Sequence, residues 1–207
     1  MQLLHLDSSI LRDASVSRAL SAAVVDTARL RHPGIVVVYR DLVADPVPHL
    51  DGAIAAGFRP VAGNDADSVT HAEHERSRSL VDEFLASDLI VIGAPMYNFS
   101  VSTQLKAWID RIAQPGKTFQ YTAQGPVGLA AGKRVIVAST RGGMYSAGPA
   151  AAMDFQEAYL KAMFGFLGII DVTFVRAEQL SRGDELRAQS ICDAHAAIDA
   201  DCFLASH

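Results

Sequence analysis

A serine-rich segment follows the first apolar run of the chain and precedes a stretch with helical spacing. It runs from Asp7 to Ser17 and contains Ser9, Ser15 and Ser17. Hydroxyl groups, backbone N–H groups and the positive end of a helix dipole together bind anions, so this segment predicts a site for a phosphate monoester. An alternative is that Ser15 and Ser17 only cap the helix, because serine is a common N-cap residue.

A second segment carries side chains that suit a flat ring system. Residues 94–100 read Ala-Pro-Met-Tyr-Asn-Phe-Ser and follow a fully apolar run. Met96, Tyr97 and Phe99 can flank the faces of an aromatic ring, and the amide of Asn98 can hydrogen bond to its edge. The alternative is that Tyr97 and Phe99 pack beneath the helix that follows.

A third segment is rich in glycine. Residues 139–145 read Ser-Thr-Arg-Gly-Gly-Met-Tyr, and the paired Gly142 and Gly143 allow the backbone to approach a ligand closely. By itself the pair is also typical of a plain turn. Together the three segments suit a phosphate, a ring face and a ring edge, whereas neither a Walker A motif nor a G-x-G-x-x-G motif occurs in the chain.

Short apolar runs that alternate with amphipathic stretches predict the elements that position these segments. The expected strands are 3–6, 35–39, 89–94, 134–139 and 172–175, and the expected helices are 17–30 (with Ser17 as N-cap), 69–86, 103–113, 155–167 and 184–203. Residues 41–67 are expected to form a long connection with one short helical turn. Residues 118–121 and 127–129 are expected to form a β-hairpin inserted before the fourth strand.

Strands that are apolar on both faces and alternate with helices indicate a parallel sheet covered by helices on both sides. Five such strands predict a doubly wound sheet in the order 2-1-3-4-5, within one α/β domain over residues 1–207. In such a sheet, ligands bind beyond the carboxyl ends of the strands, near the first and third strands. The three segments follow the first, third and fourth strands, so we expect them to meet at one site.

The charge and the residue spacing argue against several classes of partner. The net charge of −5 argues against nucleic-acid or anionic-membrane partners, because both favour basic surfaces. No C-x-x-C pair supplies zinc ligands, and His71 and His74 share a helical face without a third ligand nearby, so no metal is expected. The chain shows neither a signal peptide nor an apolar run approaching about 18 residues, so the expected location is the cytoplasm.

Together with several other motifs, these segments resemble the FMN-dependent NADH azoreductases and their relatives, the NAD(P)H:quinone oxidoreductases. The resemblance extends along nearly the whole chain. Its most specific part is Pro-Met-Tyr-Asn-Phe at 95–99 followed by Ser-Thr-Gln-Leu-Lys at 102–106. The other matching motifs are Ser-Ser-Ile-Leu at 8–11, Asp-Leu at 41–42, Thr-Phe at 118–119, Tyr-Thr at 121–122, Arg-Gly-Gly at 141–143, Gly-Pro at 148–149 and Phe-Leu-Gly at 166–168. The resemblance implies a flavodoxin-like fold.

The resemblance also implies FMN as the cofactor and a homodimer with each flavin at the subunit interface. The implied cofactor-binding residues are Ser9, Ser15, Val16 and Ser17 at the phosphate, Pro95, Met96, Tyr97, Asn98 and Phe99 at the isoalloxazine ring, and Ser139, Thr140, Arg141, Gly142 and Gly143 at its pyrimidine edge. Tyr121, Tyr145 and Phe164 are then expected to line the substrate pocket. Two residues depart from the family pattern. Val16 stands where members of the family often have a polar residue, and Tyr145 stands where some members have a histidine.

The implied function is the reduction of quinones, azo dyes and nitroaromatics by NADH or NADPH. The flavin carries the chemistry in this interpretation, through ping-pong two-electron hydride transfer at flavin N5. No catalytic side chain is expected, but Arg141 and Asn98 are expected to support the ring, with Arg141 stabilising negative charge on it. Two alternatives remain: a flavodoxin-type electron carrier without direct nicotinamide turnover, and a regulatory domain that has lost the flavin.

Overall fold

The structure is a computed structural model that describes residues 1–58 and 67–199. Within them the strands are β1 (Gln2–Asp7), β2 (Val36–Asp41), β3 (Leu89–Pro95), β4 (Phe119–Thr122), β5 (Gly125–Gly128), β6 (Arg134–Thr140) and β7 (Asp171–Ala177). The helices are α1 (Val16–Arg31), α2 (Gly52–Ala56), α3 (Ser68–Ala86), α4 (Thr103–Ile112), α5 (Phe155–Phe166) and α6 (Asp184–Asp199). One parallel sheet has the spatial order β2-β1-β3-β6-β7, and β4 and β5 form an antiparallel hairpin.

The sheet confirms the predicted class and strand order. When the hairpin strands are set aside, the spatial order is 2-1-3-4-5, and the hairpin is inserted before the fourth strand of the sheet as expected. The short helical turn expected in the long connection is α2. Residues 59–66 of that connection and residues 200–203 of the predicted last helix lie outside the described residues.

The predicted start of α1 was wrong. Ser15, and not Ser17, is the N-cap, and its hydroxyl accepts a hydrogen bond of 3.3 Å from the backbone N–H of Arg18. Ser17 lies in the first turn and is fully buried. Both serines satisfy the chemical preference for an N-cap residue, so only the packing of α1 against the sheet, which buries Ser17, distinguishes them.

The sheet lies between two layers of helices. One hydrophobic cluster joins α1 and α6 to one face, and a larger cluster joins α3, α4 and α5 to the other. On the larger side, Trp108 of α4 is fully buried and meets Phe84 of α3 edge to face, with ring centroids 6.0 Å apart. Large aromatic rings of this kind supply much of the burial that stabilises a core. None of the helices in the described ranges has the length and hydropathy that a membrane-spanning segment needs.

A contact between two glycines docks the hairpin against the turn between α5 and β7. A Cβ atom on Gly128 of β5 would lie 2.1 Å from the backbone nitrogen of Gly168. Gly168 has a φ of 94°, in the left-handed region that favours glycine. Just beyond β5, the N–H of Ala130 donates a hydrogen bond of 2.9 Å to the carbonyl of Leu167. The hairpin can therefore approach this closely only because Gly128 has no side chain.

We expect Gly128→Ala to displace the hairpin, since the added methyl group would occupy the space of the Gly168 backbone. The free energy of unfolding should fall by about 1–3 kcal/mol, the range for overpacked sites, as measured by urea denaturation. Gly165→Ala is the matched control, because a Cβ there meets no atom within 4 Å and alanine favours the interior of α5. Unchanged stability of Gly128→Ala would mean that this contact does not hold the hairpin.

Candidate functional site

A cleft of about 300 Å³ opens where β1, β3, β6 and β7 end. Parallel strands present their carboxyl ends at the same edge of a sheet, so the segments that follow them converge there. All three predicted segments contribute to the wall of the cleft, and a fourth segment, after β7, completes it.

The serine segment contributes Ser9, Ser15 and Val16 to the wall. The hydroxyl of Ser15 lies 3.0 Å from the hydroxyl of Ser17. Ser17 is buried, so it supports the wall through Ser15 instead of forming it. The capping and anion-binding interpretations are compatible, because the N-cap residue of α1 itself borders the cleft, next to the backbone N–H groups of the first helical turn.

Arg18 braces the serine segment from behind. Its guanidinium donates two hydrogen bonds of 2.7 Å to the carboxylate of Asp41 and one of 3.1 Å to the carbonyl oxygen of Ser9. The hydrogen bonds from Arg18 hold the pKa of the Asp41 carboxyl below its usual value, so the pair stays ionised at neutral pH. The position of Ser9 therefore depends on the end of β2, where Asp41 lies.

The second segment contributes Pro95, Met96 and Tyr97 to the wall. Hydrogen bonds join it to both neighbouring segments. The Tyr97 hydroxyl accepts one of 3.2 Å from the backbone N–H of Ile10, and the N–H of Met96 donates one of 2.7 Å to the carbonyl of Thr140. The three predicted segments are thus linked directly to one another around the cleft.

Asn98 and Phe99 form the tip of a tight turn beside the cleft and are not part of its wall. Tyr97 and Ser100 exchange backbone hydrogen bonds of 3.0 and 3.1 Å across the turn, and φ is 48° at Asn98 and 71° at Phe99. Asparagine adopts positive φ readily, but for phenylalanine this conformation costs about 1–2 kcal/mol. Phe99 is 38% exposed, so the alternative in which it packs beneath the following helix is wrong.

Arg141 borders the cleft, but its guanidinium is fully buried. It lies 2.7 Å from the carboxylates of Asp154 and Glu157 and 3.5 Å from that of Glu178. A charge that three carboxylates already surround is not available to stabilise negative charge on a ligand. The role expected for the Arg141 guanidinium is therefore corrected: it ties the third segment to α5 and to the segment after β7.

Thr140 and Gly142 line the cleft as expected, whereas Gly143 is not part of its wall. Ser139 is buried behind it, and its hydroxyl donates a hydrogen bond of 3.0 Å to the side-chain carbonyl of Gln156. The amide nitrogen of Gln156 in turn donates to the backbone carbonyl of Ala94 at 3.1 Å. Ser139 therefore holds the ends of β3 and β6 to α5 instead of facing a ligand.

The three residues expected to line a substrate pocket do not line this cleft. Phe164 is fully buried in the larger hydrophobic cluster, so this expectation was wrong: the ring lies on the inner face of α5. Tyr121 is 73% exposed on the hairpin. Tyr145 borders a separate depression next to Lys161, and its ring lies 6.1 Å from the exposed ring of Phe99.

The segment after β7 supplies cleft residues that the sequence analysis missed: Leu180, Ser181 and Arg187. The N–H groups of Leu180 and Ser181 donate hydrogen bonds of 3.2 and 3.1 Å to the carbonyls of Arg141 and Gly142. One signal could have found this segment, because it follows the fifth strand of a parallel sheet and must emerge at the same edge as the others.

The charge and chemistry of the cleft suit an anion joined to a flat ring. The described residues that line it include two arginines and neither Asp nor Glu. Ser15 and the start of α1 offer donors to an anion, while Met96 and Tyr97 offer a thioether and a ring to an aromatic face. No cluster of His, Cys, Asp and Glu suited to a metal ion occurs within residues 1–58 and 67–199.

Comparison with known proteins shows the family to which the chain belongs and the proteins to which it is similar. A family model described as a flavodoxin-like fold matches residues 1–201. The FMN-dependent NADH:quinone oxidoreductase of Ralstonia nicotianae is 68% identical over 198 residues, which cover 96% of this chain and 95% of that protein. The FMN-dependent NADH:quinone oxidoreductase 2 of Xanthomonas axonopodis pv. citri is 64% identical, with coverage of 96% and 92%.

Similar solved structures include an FMN-dependent NADH-azoreductase from Bacillus anthracis in complex with FMN. That structure has a TM-score of 0.86 at 26% identity and covers 96% of this chain and 98% of its own. An azoreductase structure from another strain of the same organism has a TM-score of 0.85 at 27% identity, with coverage of 97% and 99%. The likeness to these two structures therefore extends over nearly the whole chain.

Glu178 connects the segment after β7 to the glycine-rich loop. Its carboxylate accepts hydrogen bonds from the backbone N–H groups of Tyr145 at 2.7 Å and Ser146 at 2.9 Å, and from the Ser146 hydroxyl. Burial alone raises the pKa of Glu178, but these hydrogen bonds and the nearby Arg141 outweigh it, and the pKa lies below its ordinary value of 4.5. The ionised carboxylate therefore stabilises the folded state.

We expect Glu178→Gln to lower the free energy of unfolding by about 1–3 kcal/mol at neutral pH, because it removes a charged acceptor from a buried arginine. The stabilisation is fully present above pH 4.5 and is lost as the pH falls through the lower pKa of the folded state, so the effect should shrink in acid. Urea denaturation at several pH values, from neutral to below 4.5, measures the loss in free energy of unfolding. Glu75→Gln, in an exposed pair with Arg78, is the control. An equal loss at every pH would contradict the ionic role of Glu178.

Proposed function

The chain belongs to the flavodoxin-like-fold family whose model it matches over residues 1–201. We propose that it is an FMN-dependent NADH:quinone oxidoreductase with azoreductase activity. Two relatives named FMN-dependent NADH:quinone oxidoreductase, at 68% and 64% identity, match over 96% of the chain. One structural observation carries the proposal: the start of α1, an aromatic segment and a glycine segment converge on one cleft, and none of the described residues that line it is acidic.

The proposed cofactor contacts follow the three segments. Ser9, Ser15 and the backbone N–H of Val16 hold the FMN phosphate, since hydroxyls and unpaired N–H groups at a helix start are donors to an anion. A valine at position 16 is compatible with this role, because only its backbone is needed. Ser17 contributes by orienting the hydroxyl of Ser15, 3.0 Å away.

Pro95, Met96 and Tyr97 contact the face of the flavin ring in this proposal. The backbone of Thr140 and Gly142 reaches its edge, where a side chain at residue 142 would obstruct the approach. A Cβ on Gly142 would also lie 2.8 Å from the hydroxyl oxygen of Ser181, so the protein itself leaves little room for one.

When bound, FMN would supply the redox chemistry of this proposal: ping-pong two-electron hydride transfer through flavin N5 from the nicotinamide to a quinone, azo or nitroaromatic acceptor. The chain contributes placement and exclusion of water. Asn98 and Phe99, at the exposed turn, border the side on which flat substrates would stack, and Tyr145 lies beside Phe99. No side chain is assigned a proton-transfer role.

A homodimer with the cofactor near its interface is part of the proposal. Phe155 is 59% exposed, and its N–H donates a hydrogen bond of 3.2 Å to the carbonyl of Phe99, so two exposed rings lie on neighbouring residues. Tyr121 exposes a further ring on the hairpin. Apolar surface of this kind is typical of a protein–protein interface. A second copy would cover it and bring partner residues to the open side of the cleft.

The alternative of a flavodoxin-type carrier shares the fold and the cofactor but predicts no direct oxidation of NADH. We expect the purified protein, loaded with FMN and freed of excess, to retain a flavin absorbance that bleaches with NADH under anaerobic conditions. The absorbance should return when a benzoquinone is added, because the acceptor removes the electrons. A visible spectrum recorded after each addition measures both half-reactions.

Each departure from this result has a separate meaning. A protein that retains no flavin would refute the proposed cofactor and favour the regulatory alternative. Retained flavin that NADH and NADPH both leave oxidised would favour the electron carrier. Initial rates with varied NADH and quinone should give parallel double-reciprocal lines, and intersecting lines would exclude the ping-pong order.

We expect Tyr121→Asp to convert the dimer into monomers, because a carboxylate on the hairpin surface would have to be desolvated at the interface. Gln120→Asp is the matched control, since its side chain points to the opposite face of β4. Sedimentation equilibrium measures the mass of each variant and of the wild type. A monomeric wild-type protein would refute the proposed dimer.

A further inference from the structure

One of the two arginines that line the cleft has neither an ion-pair partner in the described part of the chain nor a role in the proposed function. Arg187 of α6 is partly buried and lines the same cleft as the start of α1. We propose that the Arg187 guanidinium binds a phosphate group of the ligand in this cleft. The proposal rests on the proposed function, since it adds a residue on α6 to the flavin and nicotinamide site.

Arg187 is the cation of the cleft that keeps its charge available. Within the described residues its guanidinium makes one hydrogen bond, of 3.5 Å from Nη1 to the carbonyl of Leu180, which is long and weak. Asp184 and Glu185 precede it on α6, yet neither forms an ion pair with it in the described part of the chain. Arg141, the other arginine at the wall, is instead surrounded by three carboxylates.

The backbone around Arg187 is held in place by the glycine segment. The Ser181 N–H donates a hydrogen bond of 3.1 Å to the carbonyl of Gly142, and the Arg187 N–H donates one of 3.0 Å to the carbonyl of Gly183. α6 also packs with α1 in one hydrophobic cluster. The two donors to an anion, the start of α1 and Arg187, are therefore carried by two helices that are packed together.

The chemistry of the ligand follows from these donors. A guanidinium presents planar, paired N–H groups that match the oxygens of a phosphate, and it is always ionised. A wall with serine hydroxyls, a helix start and a free arginine, and with no acidic side chain among its described residues, favours a phosphate ester. Phosphate groups of two ligands can enter this cleft: the one of FMN and those of the nicotinamide nucleotide.

The first experiment titrates the apoprotein with FMN and with riboflavin and follows quenching of flavin fluorescence. For Arg187→Gln we expect FMN to bind roughly 10–100-fold more weakly, the effect of losing one charged hydrogen bond, and riboflavin to bind as in the wild type. Arg187→Lys should recover part of the affinity for FMN. Arg182→Gln is the matched control, because it removes the same charge from an exposed neighbouring residue outside the cleft.

The second experiment measures binding of NAD⁺ to the same variants by calorimetry. A loss of NAD⁺ affinity in Arg187→Gln, with unchanged FMN affinity, would assign the contact to the nicotinamide nucleotide. Unchanged affinity for both, or equal losses for FMN and riboflavin, would overturn the role of Arg187. A wild-type protein that binds no flavin but binds NAD⁺ through Arg187 would refute the proposed function and retain this inference.

Discussion

The complete burial of β3 is the constraint on which the rest of the molecule depends. β3 is hydrogen bonded to β1 on one side and to β6 on the other, and all of its residues are buried. Removing these apolar side chains from water is a large favourable contribution to folding. It also fixes the register, in which Asp7 lies opposite Gly93 and Pro95 lies opposite Thr140. The serine, aromatic and glycine segments must therefore start side by side.

A second constraint is electrostatic, because the third segment is held by a buried charge. The Arg141 guanidinium would be costly to bury alone, and the carboxylates of Asp154, Glu157 and Glu178 offset that cost. Glu157 is shared with Arg176, at 2.8 Å, so the cluster extends to the outer strand β7. The cluster connects the wall of the cleft to α5 and to the glycine-rich loop.

The backbone conformation of the turn at Asn98 and Phe99 lowers the stability of the folded protein at the site. A phenylalanine at a φ of 71° is unfavourable, and its ring remains partly exposed, so the local sequence does not favour this conformation for stability. The backbone hydrogen bonds between Tyr97 and Ser100 and the fixed end of β3 hold the turn nonetheless. An exposed aromatic ring at the edge of a cleft is suited to contact with a flat substrate or with a second subunit.

The sequence alone determined the fold class, the strand order and the convergence of three segments, because apolar runs and helical spacing are local and parallel strands deliver their ends to one edge.

Side-chain roles depend on partners distant in the chain, so the sequence predicted them less well. Arg141 was expected to face the ring, but it pairs with Glu178, 37 residues away. Ser15 and Ser17 were chemically equivalent as caps until the packing of α1 buried one of them. Phe164 was expected at a pocket and lies in the core, while Arg187 was missed, because the packing of α5 and α6 against the sheet sets which of their residues are buried and which reach the cleft.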